Sequence, residues 1–418
     1  MIDGEKIKYF RQKSNISQKK LAHGICSISY LSKIENNFSL PSEEILLLLC
    51  ERLGITPKDL DNQKELQQQF YNDIEKINKE IHLKENTNIL KNFEKVLYKY
   101  KKNLEGVEID LLTYLFYLRI YLKLNDKRKA SIYYNKVEII KHSVNDFSSK
   151  YYYSFLGLYH YLYGNLKSSL AFYQKAETYQ TQNKEDIFYQ LALVNSLLGK
   201  VTSSTHYAYK ALKAYTEKMD FKMCINCNLL LGVNYRKIGE WRKAKDIFLK
   251  ILDRLDQAEN RKITSKIYHN LGLTLMNLKE NKEALHNLRK SLDYKSDDEK
   301  IKTINLIVKL LLKEKQLDTS LIWLNKGIYL SHKFHNCEYS IKFEVLKHFA
   351  LKEEYTDKFI EFLSQKAIPF FEKKADINTV VEYTLYLSEA YEKKAKYKQA
   401  YLTIKKISSE LPNYNIKI

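Results

Sequence analysis

The stretch LLGVNYRKIGEWRKAKDIFLKIL, Leu230 to Leu252, reads as two amphipathic helices joined by a tight turn. Leu231, Gly232 and Tyr235 carry the first helix, and Trp241, Ala244 and Phe248 the second. Gly239 falls between them, where the chain must reverse. Gly232 lets the two helices approach closely, and Ala244 supplies the small side chain where the second crosses the first. Such a pair cannot bury its apolar face alone, so it predicts further pairs on either side.

Those pairs are present. NLGLTLMNLKENKEALHNLRKSL, Asn270 to Leu292, repeats the pattern with Leu271-Gly272 and Ala284, and FLGLYHYLYGNLKSSLAFYQKA, Phe155 to Ala176, repeats it with Leu156-Gly157 and Gly164. The marker of the second helix recurs at Leu90, Ala130, Ser169, Ser204, Ala244, Ala284, Ser320, Lys358 and Ala400, at spacings of 35 to 42 residues. Leu90 and Lys358 fit least well. The period slightly exceeds the ~34 residues of a tetratricopeptide repeat. An all-α fold follows, with a right-handed superhelix of tetratricopeptide-like repeats over residues 85–418, entered through a linking helix at 62–84.

Composition agrees. The 418 residues include 4 Pro and 11 Gly, with no proline between Pro57 and Pro369, which suits helices and poorly suits a sheet protein punctuated by turns. No apolar run is long enough to cross a membrane. The opening residues Asp3, Glu5 and Lys6 lack the basic-then-apolar order of a signal peptide. Five sparse cysteines, Cys26, Cys50, Cys224, Cys227 and Cys337, point to a reducing cytoplasm. Cys224-x-x-Cys227 has metal-like spacing, but no second pair follows, and both cysteines fall in a repeat helix as small core residues. With no HExxH, Gly-rich phosphate loop or GxSxG, the sequence predicts neither a catalytic site nor a cofactor. The many tyrosines, as in Tyr151-Tyr152-Tyr153, sit at helical spacing that suits packing between repeats.

Ahead of the array, SQKKLAHGICSISYLSKIEN, Ser17 to Asn36, predicts a second architecture over residues 1–61. Ile7 and Phe10 mark the inner face of a first helix whose outer face is Lys6, Lys8, Arg11 and Lys13. Ser17 caps a second helix with Leu21, Ala22 and Ile25 inside. A third helix starts near Ser27, with Leu31 and Ile34 inside and Ser29, Lys33 and Asn36 in an outward stripe. Ser42 caps a fourth, built on Ile45, Leu46, Leu49 and Leu53, and Thr56-Pro57 opens a last turn. A short helix, a tight turn and an exposed second helix place one helix face in the major groove of DNA. The net charge of +20 is uneven: residues 1–61 carry 9 Lys/Arg against 8 Asp/Glu, and residues 1–34 hold seven of those basic residues, as phosphate contact requires. The basic excess of the repeats reads either as a Lys-rich solvated surface or as a surface for an acidic partner.

Residues 4–60 resemble the phage-repressor-like (Xre-type) helix-turn-helix domains, through Ser17-Gln18, Leu21-Ala22, the run Ser29 to Asn36 and Pro41 to Leu46. The resemblance implies that Gln18 contacts phosphate and that Ser27, Ile28, Ser29, Tyr30 and Lys33, at the start and along the outer face of the third helix, meet double-stranded operator DNA. Glu35 and Asn36 close the helix end. Fused to repeats, the domain is similar to the NprR/PlcR-like quorum-sensing regulators of Gram-positive bacteria. That group implies a homodimer or higher oligomer that binds a short signalling peptide in its repeats and reorients its DNA-binding domains; some relatives also act on a response regulator.

Placing the repeat motif on this sequence puts Tyr189, Asn226, Arg236, Lys237, His269, Asn270, Asn277, Asn305 and Lys309 on the concave face, the expected peptide site. Asn can both donate to and accept from a peptide backbone, and Arg or Lys can hold a carboxylate. The plain alternative for each is a solvated side chain. Asn270, ahead of Leu271-Gly272, resembles a peptide-contacting Asn of the group. Two other functions stay open: a response-regulator phosphatase or protein-interaction adaptor acting through the repeats, and a constitutive phage-type repressor.

Overall fold

A computed structural model describes residues 4–60, 64–83, 87–179, 184–255 and 260–410; among these every regular element is a helix. The junctions expected at 61/62 and 84/85 lie outside the described residues. The chain divides into two compact units, Met1–Leu198 and Gly199–Ile418.

The first unit opens with α1 (Gly4–Lys13), α2 (Gln18–Ala22), α3 (Ile28–Glu35) and α4 (Glu43–Leu53). Three serines start three of these helices. The hydroxyls of Ser17, Ser27 and Ser42 accept from the backbone N–H of Lys20, Tyr30 and Ile45 at 3.2, 3.1 and 3.4 Å, each satisfying a donor that the first turn leaves free. Ile7, Leu21, Leu31, Ile34, Leu46 and Leu49 close a small core. A 3-10 turn at Pro57–Leu60 follows, proline sitting where its missing N–H has no helical partner to lose.

The unit continues through α5 (Lys64–Leu83), α6 (Thr87–Asn103), α7 (Val107–Lys123), α8 (Lys127–Ile139), α9 (Asp146–Leu162), α10 (Leu166–Thr178) and α11 (Lys184–Leu197). Its tyrosines do what their spacing implied: Tyr151 is buried edge-on against Phe116, ring centroids 5.1 Å apart. The second unit holds α12 (Val201–Glu217), α13 (Phe221–Lys237), α14 (Trp241–Arg254), α15 (Arg261–Asn277), α16 (Asn281–Leu292), α17 (Asp297–Lys313), α18 (Leu317–Lys333) and α19 (Cys337–Ala350). After α20 (Asp357–Phe362), a π turn at Leu363–Ala367 and α21 (Ile368–Lys373), it ends in α22 (Ile377–Lys393) and α23 (Tyr397–Glu410). Cys227 is a core residue of α13, and burial pushes its thiol up to about 12.

Close approach inside a pair rests on the glycine that the sequence singled out. A Cβ on Gly232 would lie 2.5 Å from the ring of Phe248, sixteen residues on, and one on Gly157 would meet Tyr173 at the same offset. The markers Ala130, Ser169, Ser204, Ala244, Ala284 and Ser320 are all fully buried. Each follows by five residues a left-handed turn residue: Asn125, Gly164, Gly199, Gly239, Lys279 and Lys315. Lys358 breaks the rule and is exposed, the buried place at the start of its helix being taken by Phe359, and that helix is split further on. Pro369 has no N–H to give back into the preceding turn, and the π turn takes up the interruption.

Candidate functional site

The outward face of α3 carries Ser27, Ile28, Ser29, Lys33 and Asn36, all exposed, with Lys19 and Lys20 exposed on α2 beside it. Ser27 serves as N-cap. Tyr30 is half-buried, and its hydroxyl donates to the Leu40 carbonyl at 3.1 Å, tying α3 to the chain ahead of α4. Gln18 is also committed inward, its amide donating to Glu35 Oε2 at 2.7 Å.

Glu35 organises this domain. It is fully buried at the end of α3 and receives both Arg11 Nε at 2.6 Å and Arg11 Nη2 at 2.9 Å. Arg11 is thus not on the outer face of α1: its side chain is only 11% exposed. The hydrogen bond to Glu35 holds its guanidinium above its ordinary value. A bidentate Arg–carboxylate pair has a fixed geometry, so it sets the angle of α3 against α1 and α2. The spacing Leu31, Ile34, Glu35 places the carboxylate on the inner stripe, and that was the legible signal for it.

In the second unit a cleft of about 430 Å3 opens on the first helices of successive pairs, α13, α15, α17 and α19. It brings together three of the nine residues expected there, Arg236, His269 and Asn270, and adds Lys262, Lys266, Lys295, Lys302 and Tyr339. The Asn270 amide donates to the Lys266 carbonyl at 2.8 Å, which leaves its own oxygen to accept from a ligand. Lys295 Nζ donates to Thr303 Oγ1 at 2.5 Å, and Thr303 lies 2.9 Å from His269 Nδ1. Lys295 can only donate, so the Thr303 oxygen accepts from it and joins Lys295 to the His269 ring in one hydrogen-bonded chain. Burial, with Lys295, Lys302 and Arg236 nearby, pushes His269 down to about 3, so its ring is neutral.

The other six expected residues lie outside the cleft. Tyr189 is half-buried on α11 of the first unit. The Asn226 amide lies 3.5 Å from Met223 Sδ on its own helix, and Asn277 is exposed and bonded to the Leu273 carbonyl at 2.8 Å. Lys237 is exposed at the end of α13. Asn305, one turn along α17 from Lys302, is buried, and its Nδ2 has no partner. Lys309 is not a free cation: its ammonium binds Glu382 Oε1 at 2.6 Å, joining α17 to α22.

A helix-turn-helix with an exposed recognition helix, joined to tetratricopeptide-like pairs, defines the class of repeat-bearing transcriptional regulators. The helix-turn-helix family HTH_3 matches residues 7–60. The transcriptional activator NprA of Geobacillus stearothermophilus is 30% identical over 398 residues, 91% of this chain and 96% of NprA. The chain belongs to the NprA family: it is an NprR-like helix-turn-helix and helical-repeat regulator. The fold is shared with the apo form of the quorum sensor NprR from B. thuringiensis, at TM-score 0.73 and 18% identity over 83% of this chain and 99% of that one. It is shared too with NprR in complex with its cognate peptide NprX, at TM-score 0.60 and 19% identity over 83% of this chain and 100% of that one. Among the described residues no helix is long and apolar enough to cross a membrane.

Proposed function

We propose that this regulator is a cytoplasmic peptide receptor: a short signalling peptide occupies the cleft on α13, α15, α17 and α19, and its binding controls how a homodimer engages operator DNA. The cleft carries this reading. It presents, on first helices of consecutive pairs, an orphan guanidinium, a neutral His and an Asn oxygen at about 430 Å3, a size suited to a few side chains of an extended peptide. The complex of NprR with NprX, sharing this fold, supports it. Control follows from linkage. A peptide that binds one dimer arrangement better shifts the population toward it, and half-sites about 34–36 Å apart are bound only when the two α3 helices match that spacing.

Immunoprecipitation of the chain from dense and sparse cultures of its native host tests both halves. Co-purified peptide is read by mass spectrometry, and bound DNA is sequenced. A peptide is expected in the dense culture alone, with a different set of bound DNA sites. On a recovered site Lys33→Ala should weaken binding by about 1–3 kcal/mol, roughly 5- to 150-fold, without loss of fold, since Lys33 is exposed. Equal DNA occupancy and no peptide at both densities would leave a constitutive repressor as the better description.

A further inference from the structure

Resting on the receptor reading, we infer that the cleft selects peptides by a carboxylate, received by Arg236 and Lys295, with Lys266 and Lys302 supplying the surrounding positive field. Five cations line the cleft, Arg236, Lys262, Lys266, Lys295 and Lys302, against the carboxylates of Asp298 and Glu299. Both carboxylates are turned to the start of α17. Glu299 receives the Ser296 N–H at 3.4 Å, and the Ser296 hydroxyl holds Asp298 low. Among the described residues none of the five cations makes an ion pair, although ion pairs are frequent elsewhere in this unit, as at Lys309–Glu382 and Lys342–Glu338.

The guanidinium is the clearest sign of a missing anion. Arg236 Nε is buried with no hydrogen-bond partner, and leaving a charged donor unpaired is costly enough that such groups are normally satisfied. Burial holds Arg236 and Lys266 below their ordinary values and brings Lys295 to about 8; Glu299 draws both lysines back up only in part, while Lys262 lowers Lys266 and Lys302 lowers Lys295 further. An incoming carboxylate supplies acceptors for Arg236 and relieves the repulsion among the lysines at once. Selection is therefore by charge sign, while the Asn270 oxygen is left to read the peptide backbone. A carboxylate can come from an Asp or Glu side chain or from the peptide's C-terminus, and the chemistry received is the same.

The test uses the full chain and synthetic heptapeptide pools, with retention after equilibrium dialysis read by mass spectrometry. One pool carries a single Asp and an amidated C-terminus, one is neutral with a free C-terminus, one is neutral and amidated, and one carries a single Lys and is amidated. Retention of the Asp pool, the free-terminus pool or both by about tenfold over the last two is expected, and which of them is held identifies the source of the carboxylate. Arg236→Gln with Lys295→Met should abolish that preference. Lys302→Gln, at an exposed position that does not test folding, should reduce it. Equal retention of all four pools, or a preference that survives both sets of substitutions, overturns the carboxylate site while leaving a peptide receptor standing. If no pool is retained, the receptor reading falls with it.

Discussion

Glu35 shows how a single carboxylate can set the geometry of a DNA-binding surface from beneath it. It is fully buried, yet it anchors Arg11 and Gln18. Replacing it by Gln leaves the Arg11 charge in place with its counter-charge gone, which destabilises buried pairs by about 3–5 kcal/mol. Glu35→Gln should therefore lower the thermal midpoint of the N-terminal domain and weaken DNA binding together, whereas Lys33→Ala should weaken binding alone; a Glu35→Gln protein that melts like the parent would contradict this role. His269 makes a prediction about pH. Its folded value is about 3 against an ordinary 6.5, so between those two values the unfolded chain binds a proton that the folded chain refuses. Its contribution is fully present above pH 6.5 and is lost as the pH falls toward 3, with a slope of at most about 1.4 kcal/mol per pH unit from this one site. Denaturant titrations of the parent and His269→Gln across that window should show the variant with the shallower pH dependence. Parallel curves would mean that the ring is not held neutral.

At the scale of the element, the helical pair is governed by one close approach and one reversal. A Cβ at Gly232 cannot fit 2.5 Å from Phe248 unless the ring moves or α13 and α14 separate. Gly232→Ala should destabilise the second unit by about 1–3 kcal/mol, as overpacking does. Adding Phe248→Leu should recover part of that loss, since the two side chains would then share the space; strict additivity of the two changes would show that they do not meet. This contact was legible because glycine at a helical core position has few explanations. The reversals were legible only in part. Gly164, Gly199 and Gly239 mark three of them, but Asn125, Lys279 and Lys315 adopt the same left-handed conformation with ordinary side chains, so the array betrays its period more through the small residue five positions later. The helix starts of the N-terminal domain were read correctly because a serine cap acts locally. The cleft was harder. Lys262, Lys295 and Lys302 lie near helix starts, outside the motif positions that define the repeat, and enter the site only through the stacking of pairs. The ion pair of Lys309 was hidden for the complementary reason: its partner Glu382 is 73 residues away, and no local pattern announces it.

For the whole molecule, the cleft belongs to Gly199–Ile418 and the recognition helix to Met1–Leu198, so regulation requires free energy to pass from one unit to the other. The excess of positive charge does not supply it: residues 1–61 are close to neutral as a set, and most of the +20 resides beyond them. Long-range repulsion of that kind is screened over about 8 Å at physiological salt, so coupling has to come from a ligand that distinguishes two arrangements. That requirement is reciprocal. If a peptide retained in the pool experiment changes the affinity for a recovered DNA site by some factor, saturating DNA must change the affinity for that peptide by the same factor, with roughly 5–150-fold as the common range. Anisotropy titrations of labelled DNA with and without peptide, and of labelled peptide with and without DNA, give the two factors independently. Equal factors are expected. A peptide that shifts DNA binding without a matching shift in its own affinity would be acting through something other than equilibrium linkage in this chain. Two factors of one would mean that the cleft and the recognition helix work separately.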